Sequence, residues 1–286
     1  MAKRYTADTV NALKGTAPVP VLKFPAGEAT DVVAVEEPLE IRVAGEPLLV
    51  TMRTPGDDFS LALGLLFSEG FIRGVADIGT VSHCGRMGDE GYGNAVEVTP
   101  AGGAQWHFER TPLAKRGTLA TAACGVCGRA SIDDLLKLCG EVAPGPTVKP
   151  SLISSAPKLL RSAQSNFAQT GGVHAAMVLS ADGRQLAFAE DVGRHNAVDK
   201  TIGALLRAGV LPAPNAPDAP AMLVVSGRTS FEIIQKAAVA KLRIVVGISA
   251  ATSLAIETAQ RVGITLVTFV RDERFNVCSR RERVAL

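Results

Sequence analysis

The chain has 286 residues, 47% of them apolar, which is enough for one large or two modest domains with a buried core. Its formal charge at neutral pH is +2, so bulk electrostatics argues against a nucleic-acid binder or an acidic tail, and any anion site has to be local. There is no apolar run long enough to span a membrane, no apolar secretory signal at the start and no disulfide-framework pattern in the five cysteines, so the cytoplasm is the expected compartment.

Residues 1 to about 30 are rich in Ala, Pro, Lys and Thr without periodicity and read as a poorly ordered lead-in. Residues 31–147 then read as a mixed, strand-rich domain. Val32 to Val35, Leu39 to Val43, a turn at Ala44 to Pro47 and Leu48 to Val50 together make a β-hairpin signal. Arg53-Thr54-Pro55-Gly56-Asp57-Asp58 ends the strand and starts a helix, with Leu61, Leu65 and Leu66 on its apolar stripe as far as about Phe71. Strands follow at 78–83, 95–99 and 105–108. A short helix is expected at 131–138, capped by Ser131 with Asp133 and Asp134 in its first turn. Pro144-Gly145-Pro146 marks a break, and 148–156 a crossover to the second half.

Residues 148–286 read as an α/β domain. A strand at 173–179 returns at 185–190 through Asp182-Gly183, and a helix follows from about 197 to 208. Beyond a Pro/Ala-rich loop at 212–220 come a strand at 221–226, a helix opened by the capping-box order Thr229-Ser230-Phe231-Glu232, a strand at 243–249, a helix at 252–262 and a strand at 264–270. Strands alternating with helices predict a parallel sheet covered on both faces.

Ser226-Gly227-Arg228 and the run Ser249 to Thr252 fall where a strand gives way to a helix. That is the carboxyl edge, where open α/β sheets bind ligands and helix N-termini face phosphates. Arg194, His195, Arg228, Arg271 and Arg274 are expected to converge there on an anionic, phosphate-bearing ligand. Taken singly, each arginine reads as ordinary solvated surface, each hydroxyl as a helix cap and His195 as a structural histidine.

The most distinctive stretch is Gly117 to Arg129, in which Cys124-Gly125-Val126-Cys127 lies among small residues with Lys115, Arg116 and Arg129 nearby. Glycines beside both cysteines remove bulk, so the loop is suited to presenting sulfur to a large partner. The thiolate is the nucleophile and metal ligand, and a free cysteine titrates near roughly pH 8.5 unless cations lower it. A structural zinc site usually needs a second such pair, and Cys84, Cys139 and Cys278 are isolated. A zinc deaminase would place proline where Ala123 stands and glutamate two residues after an upstream histidine, which neither His83 nor His107 has. A thioredoxin-like motif belongs at a helix start rather than in a glycine-rich loop. Sulfur carriage or thiol exchange remains, beside the reading in which the pair has no chemistry.

The runs Met52-Arg-Thr-Pro-Gly-Asp-Asp58, Cys124-Gly-Val-Cys-Gly128, Thr170-Gly-Gly-Val-His-Ala-Ala176, Glu190-Asp-Val-Gly-Arg-His-Asn-Ala-Val-Asp-Lys200, Ser226-Gly-Arg-Thr-Ser230 and Phe269-Val-Arg-Asp-Glu-Arg274 occur in one order. In that order they resemble the FdhD/NarQ family of formate dehydrogenase accessory proteins, over about residues 30–280. The resemblance implies a sulfurtransferase that acts as a sulfur carrier for molybdenum or tungsten formate dehydrogenases. Its partners would be a cysteine desulfurase as donor and the formate dehydrogenase catalytic subunit. Sulfur would be held as a persulfide on Cys124, with Cys127 supporting, and passed to the molybdenum cofactor, bis-molybdopterin guanine dinucleotide.

By the same resemblance, Phe269, Val270, Arg271, Asp272, Glu273 and Arg274 hold that cofactor, whose GDP or GMP moiety is a partial ligand. Arg194, His195, Ser226, Gly227 and Arg228 would join them. The C-terminal part should be similar in fold to cytidine deaminases, without their zinc ligands and with no metal site. Two departures from the family pattern stand out: Ala251 where proline is common and Cys278 where an aromatic residue is usual. Neither touches the sulfur loop, so fine structure rather than activity is expected to change. A homodimer is expected from the general frequency of symmetric dimers, with no nucleic-acid or membrane partner. Two rivals stand beside this reading: a chaperone that only holds the cofactor or the apo-enzyme, and a Cys-x-x-Cys module sharing zinc across a dimer.

Overall fold

The computed structural model describes residues 15–86, 92–104, 106, 139–145, 147–211 and 219–285. The loop expected to carry Cys124 and Cys127 and the helix expected at 131–138 lie outside the described residues, as does the strand expected at 105–108 apart from Trp106.

Residues 16–34 are not a loose lead-in. β1 (Thr16–Lys23) and β2 (Gly27–Ala34) pair antiparallel in a two-stranded ribbon, with Pro18 opposite Val32 and Pro20 opposite Thr30. Pro18 and Pro20 hide the strand signal in the sequence, and a ribbon with free edges tolerates them because no neighbour needs their missing N–H. Val32 and Val33 therefore belong to this ribbon. The hairpin is formed by β3 (Glu37–Val43) and β4 (Glu46–Arg53), which turn at Ala44 and Gly45, both at positive φ.

With β5 (Ile78–His83) and β6 (Ala95–Pro100) they make a four-stranded sheet in the order β4-β3-β6-β5, in which β3 and β6 run parallel. Leu39, Ile41 and Val43 alternate with more exposed residues, the mark of a sheet with one covered face. The cover is α1 (Asp58–Ser68), which is buried all round except at Phe59, as a helix between two layers must be.

On its other side α1 meets α4 (Arg194–Arg207). A Cβ at Gly64 would collide with the carbonyl of Asp199, and one at Gly203 with the carbonyl of Ser60, so the two backbones approach as only glycine allows. The second sheet has six strands: β7 (His174–Ser180), β8 (Gln185–Asp191), β9 (Pro220–Val225), β10 (Ile244–Gly247), β11 (Thr265–Arg271) and β12 (Arg274–Ser279). Their order is β12-β11-β10-β9-β7-β8.

The expectation of a parallel sheet holds only for its centre. β9, β10 and β11 are mutually parallel, whereas β7 runs antiparallel to β9, and β8 and β12 return as hairpin partners. Helices do cover both faces. Ala175, Met177, Met222, Val224, Ile244 and Val246 pack with Ile153, Ala156 and Leu160 of α2 (Pro150–Ala163), the helix that occupies the expected crossover. The alternate residues Ala176, Val178, Leu223, Val225 and Val245 face α4, α5 (Phe231–Val239) and α6 (Ser253–Val262), in a core continuous with α1 and the first sheet.

The capping box does not form. Ser230 is the N-cap of α5, Glu232 turns to His195, and the buried Thr229 hydroxyl has no partner. The cap that does form is Thr252, whose hydroxyl accepts from the Ala255 N–H at 3.3 Å. No helix among the described residues is long and apolar enough to cross a membrane.

The glycine contact between α1 and α4 predicts that Gly203→Ala lowers stability by about 3 kcal/mol, the upper end of overpacking costs. Gly102→Ala, whose methyl meets open space, should stay within about 0.5 kcal/mol. Urea unfolding of both variants checks this, and equal midpoints would show that the helices move apart freely.

Candidate functional site at the sheet edge

β9, β10 and β11 end on one side of the sheet, and because β7 is antiparallel its first residue, His174, comes to the same side. Across from them stand the last turns of α2 and the short α3 (Ser165–Thr170). Between these walls lies a cavity of about 670 Å³. Strand ends contribute Ser226, Ile248, Val270, Arg271 and Asp272; the helical wall contributes Lys158, Arg161, Gln164 and Phe167. Its size and its mixture of apolar and mostly cationic lining suit a small anionic organic ligand.

The candidates named from sequence divide here. Ser226, Val270, Arg271 and Asp272 line the cavity. Gly227 and Arg194 border it through His174: a Cβ on Gly227 would lie 3.1 Å from His174 Nδ1 and 3.4 Å from Arg194 Cβ. Glu273 and Arg274 are exposed at the turn into β12, and Arg228 is exposed on the loop after β9. Phe269 is 55% exposed and held at φ 53°, a strained setting for an aromatic residue. It sits in a bulge where the register of β11 shifts, and that bulge buries Val270 and brings Arg271 to the cavity.

His195 is fixed from the next helix, its Nε2 lying 2.8 Å from Glu232 Oε2 and 3.2 Å from Ser230 Oγ. The sequence reading missed Lys158, Arg161, Gln164 and Phe167, because α2 itself was taken for a crossover. His174 lies within the quoted run 170–176 but had no assigned role. Among the described residues no cluster of three or more His, Cys, Asp or Glu side chains is gathered as a metal site.

Beneath the edge, Asp191 at the end of β8 is fully buried and fully partnered. Its carboxylate accepts from Thr54 N, Gly193 N, Asn196 Nδ2 and Lys200 Nζ at 2.8–3.2 Å. Lys200 also donates to the Thr54 carbonyl at 2.7 Å, and Asn196 to the Met52 carbonyl at 2.7 Å. The runs 52–58 and 190–200, far apart in sequence, thus form one hydrogen-bonded joint.

The model of the FdhD/NarQ family matches residues 34–285. The chain belongs to the FdhD/NarQ family. A relative in the family, the sulfur carrier protein FdhD of Anaeromyxobacter dehalogenans strain 2CP-1, is 52% identical over 261 residues, 91% of each chain. Those of Nocardia farcinica and Mycobacterium tuberculosis are each 42% identical over 267 residues; the first match covers 91% of both chains, the second 89% of this chain and 92% of its relative. Among solved structures, a chain from Desulfotalea psychrophila described as a candidate formate dehydrogenase accessory protein superposes with a TM-score of 0.69 at 24% identity. That match covers 94% of this chain and 98% of that one, so the family fold extends through both sheets.

The His174 imidazole is held below the usual histidine range, first by burial and then by the positive charges of Arg194 and His195, against a smaller opposing pull from Asp191. Because the folded protein resists the proton that the unfolded chain takes up near pH 6.5, stability should decline as pH falls through about 6.5 and level off below the folded value. In His174→Gln this component of the slope should vanish, as measured by urea unfolding across pH 5–8. An Arg194→Ala variant should move the His174 midpoint, followed by NMR, back toward about 6.5.

Proposed function

We propose that this chain is a sulfur carrier for formate dehydrogenase, taking persulfide sulfur from a cysteine desulfurase on Cys124 and delivering it to bis-molybdopterin guanine dinucleotide. The observation that carries the reading is the Cys124-Gly-Val-Cys127 pair in a chain 52% identical, over 91% of both lengths, to a sulfur carrier protein FdhD. In the first step the Cys124 thiolate attacks the outer sulfur of the desulfurase persulfide. A new S–S bond forms on Cys124, the donor's S–S bond breaks, and the donor cysteine leaves as its thiolate.

Delivery of that sulfur as sulfide needs two electrons. Cys127 supplies them by attacking Cys124 Sγ: the Cys124–Cys127 disulfide forms as the outer sulfur departs, and a dithiol reductant resets the pair. The molybdenum cofactor is the substrate here. The cavity suits its nucleotide end: Val173, Ile248 and Val270 give it apolar surface, while Arg271 and Lys158 at its walls oppose phosphate charge.

Intact mass after incubation with desulfurase and cysteine tests the first step. An adduct of about 32 Da, removed by reductant, should appear on wild type and be absent from Cys124→Ala. Cys127→Ala should load but activate formate dehydrogenase at least about tenfold less well. An unloaded wild type beside an active desulfurase would favour a chaperone that only holds the cofactor. Separately, Arg271→Ala combined with Arg274→Ala should weaken guanine-nucleotide binding about tenfold while Cys124 still loads; unchanged affinity would remove these arginines from the site.

A further inference from the structure

The helical wall of the cavity has a composition that phosphate binding does not require. Arg161 near the end of α2 stacks over the Phe167 ring, its guanidinium carbon 4.2 Å from the centroid. Both residues line the cavity, and both guanidinium planes and phenyl rings stack on heteroaromatic rings. Between them, at the junction of α2 and α3, is Gln164, which also lines the cavity and is 5% exposed.

The side-chain amide nitrogen of Gln164 is shielded from solvent and has no hydrogen-bond partner. A buried donor left unpaired costs about 1–3 kcal/mol, so this one calls for an acceptor. The last glutamine torsion is broad and soft, so the amide of this cavity-lining residue can reorient at little cost. A carboxamide carries a donor and an acceptor side by side, and therefore reads the edge of a base rather than a charge. The face-on stack and the edge-on amide lie on one wall. The strand-end wall opposite holds Arg271 and the loop of Ser226.

We propose that the α2–α3 elbow is a base-reading subsite in which Arg161 and Phe167 hold the face of the purine ring of a nucleoside diphosphate and Gln164 hydrogen-bonds its edge, with the phosphates directed to Arg271. This rests on the cavity being the seat of the nucleotide end of the cofactor, and it assigns the specificity of that seat to residues outside the β11–β12 segment. Glu190 holds the elbow in place: its carboxylate accepts from Asn166 N and Phe167 N at 2.9 and 2.8 Å, at the start of α3. The subsite is thereby tied to β8 next to the buried Asp191.

Calorimetry on the full chain with GDP, ADP and inorganic pyrophosphate separates ring from phosphate recognition. Wild type should bind GDP at least about tenfold more tightly than pyrophosphate, as stacking is worth roughly 1–3 kcal/mol per base. Gln164→Ala should weaken GDP about tenfold and narrow the GDP/ADP ratio, and Phe167→Leu should weaken both nucleotides about five- to tenfold. Pyrophosphate affinity should stay unchanged in both variants, which also reports that they are folded. Gln164→Glu, which keeps the shape but loses the donor, should behave as Gln164→Ala. Arg271→Ala should weaken all three ligands. If the elbow variants bind GDP within twofold of wild type while Arg271→Ala does not, the subsite is wrong and the cavity reading stands. If wild type binds none of the three, both are overturned.

Discussion

A buried carboxylate, Asp191, is the constraint on which the rest of the structure depends. A charge with no solvent access must be fully hydrogen-bonded, and its partners come from the loop after β4, from the start of α4 and from Lys200 one turn further on. Removing Lys200 would leave that charge unpaired at a cost of about 3–5 kcal/mol. The partly exposed Arg42–Glu40 pair, at 2.7 Å, is worth under about 1 kcal/mol because water screens it. The buried joint therefore fixes how the loop after β4 meets the end of β8 and the start of α4, beside the apolar core that the two sheets share. A second buried pair, Asp199 with Lys236 at 2.8 Å, closes the same stack further along, with Ser68 of α1 donating to the carboxylate.

The joint also sets the geometry of the ligand edge. Asp191 fixes the end of β8 and the turn Val192-Gly193 that opens α4, and Arg194 and His195 begin that helix. Glu190, one residue before, holds the N-terminus of α3. Adjacent carboxylates on one strand thus anchor the cationic side of the cavity and its aromatic wall. Their side chains leave β8 on opposite faces, as successive strand residues must, so one buttresses each side of the sheet.

Much of the second half could be read directly from residue order. Runs such as Ala221 to Val225 and Ile244 to Val246 are continuous and apolar, which is how strands covered on both faces look. The elements that were missed carry contrary local signals. β1 holds two prolines, and α2 opens on Pro150 and contains Pro157, so both look like connectors. Each is stabilised from outside: β1 by its partner strand, and α2 by Ile153, Ala156 and Leu160 packing on the sheet. Thr229 and Glu232 made the opposite error possible. The spacing of a capping box is there, but His195 competes for the glutamate and the cap passes to Ser230.

By itself the sequence determined the family, the cysteine pair proposed to carry sulfur, the alternation of strands and helices in the second half, and the segments Ser226 to Arg228 and Phe269 to Arg274 as candidates for the ligand edge. These are local properties: residue identity, spacing and periodicity lie along one stretch of chain. Tertiary structure alone decided that β7 runs antiparallel and brings His174 to that edge, that Arg161, Gln164 and Phe167 face it from another layer, and that runs 52–58 and 190–200 share one buried charge. Strand direction and the pairing of distant groups depend on which surfaces become buried together, and that is settled only when the layers pack.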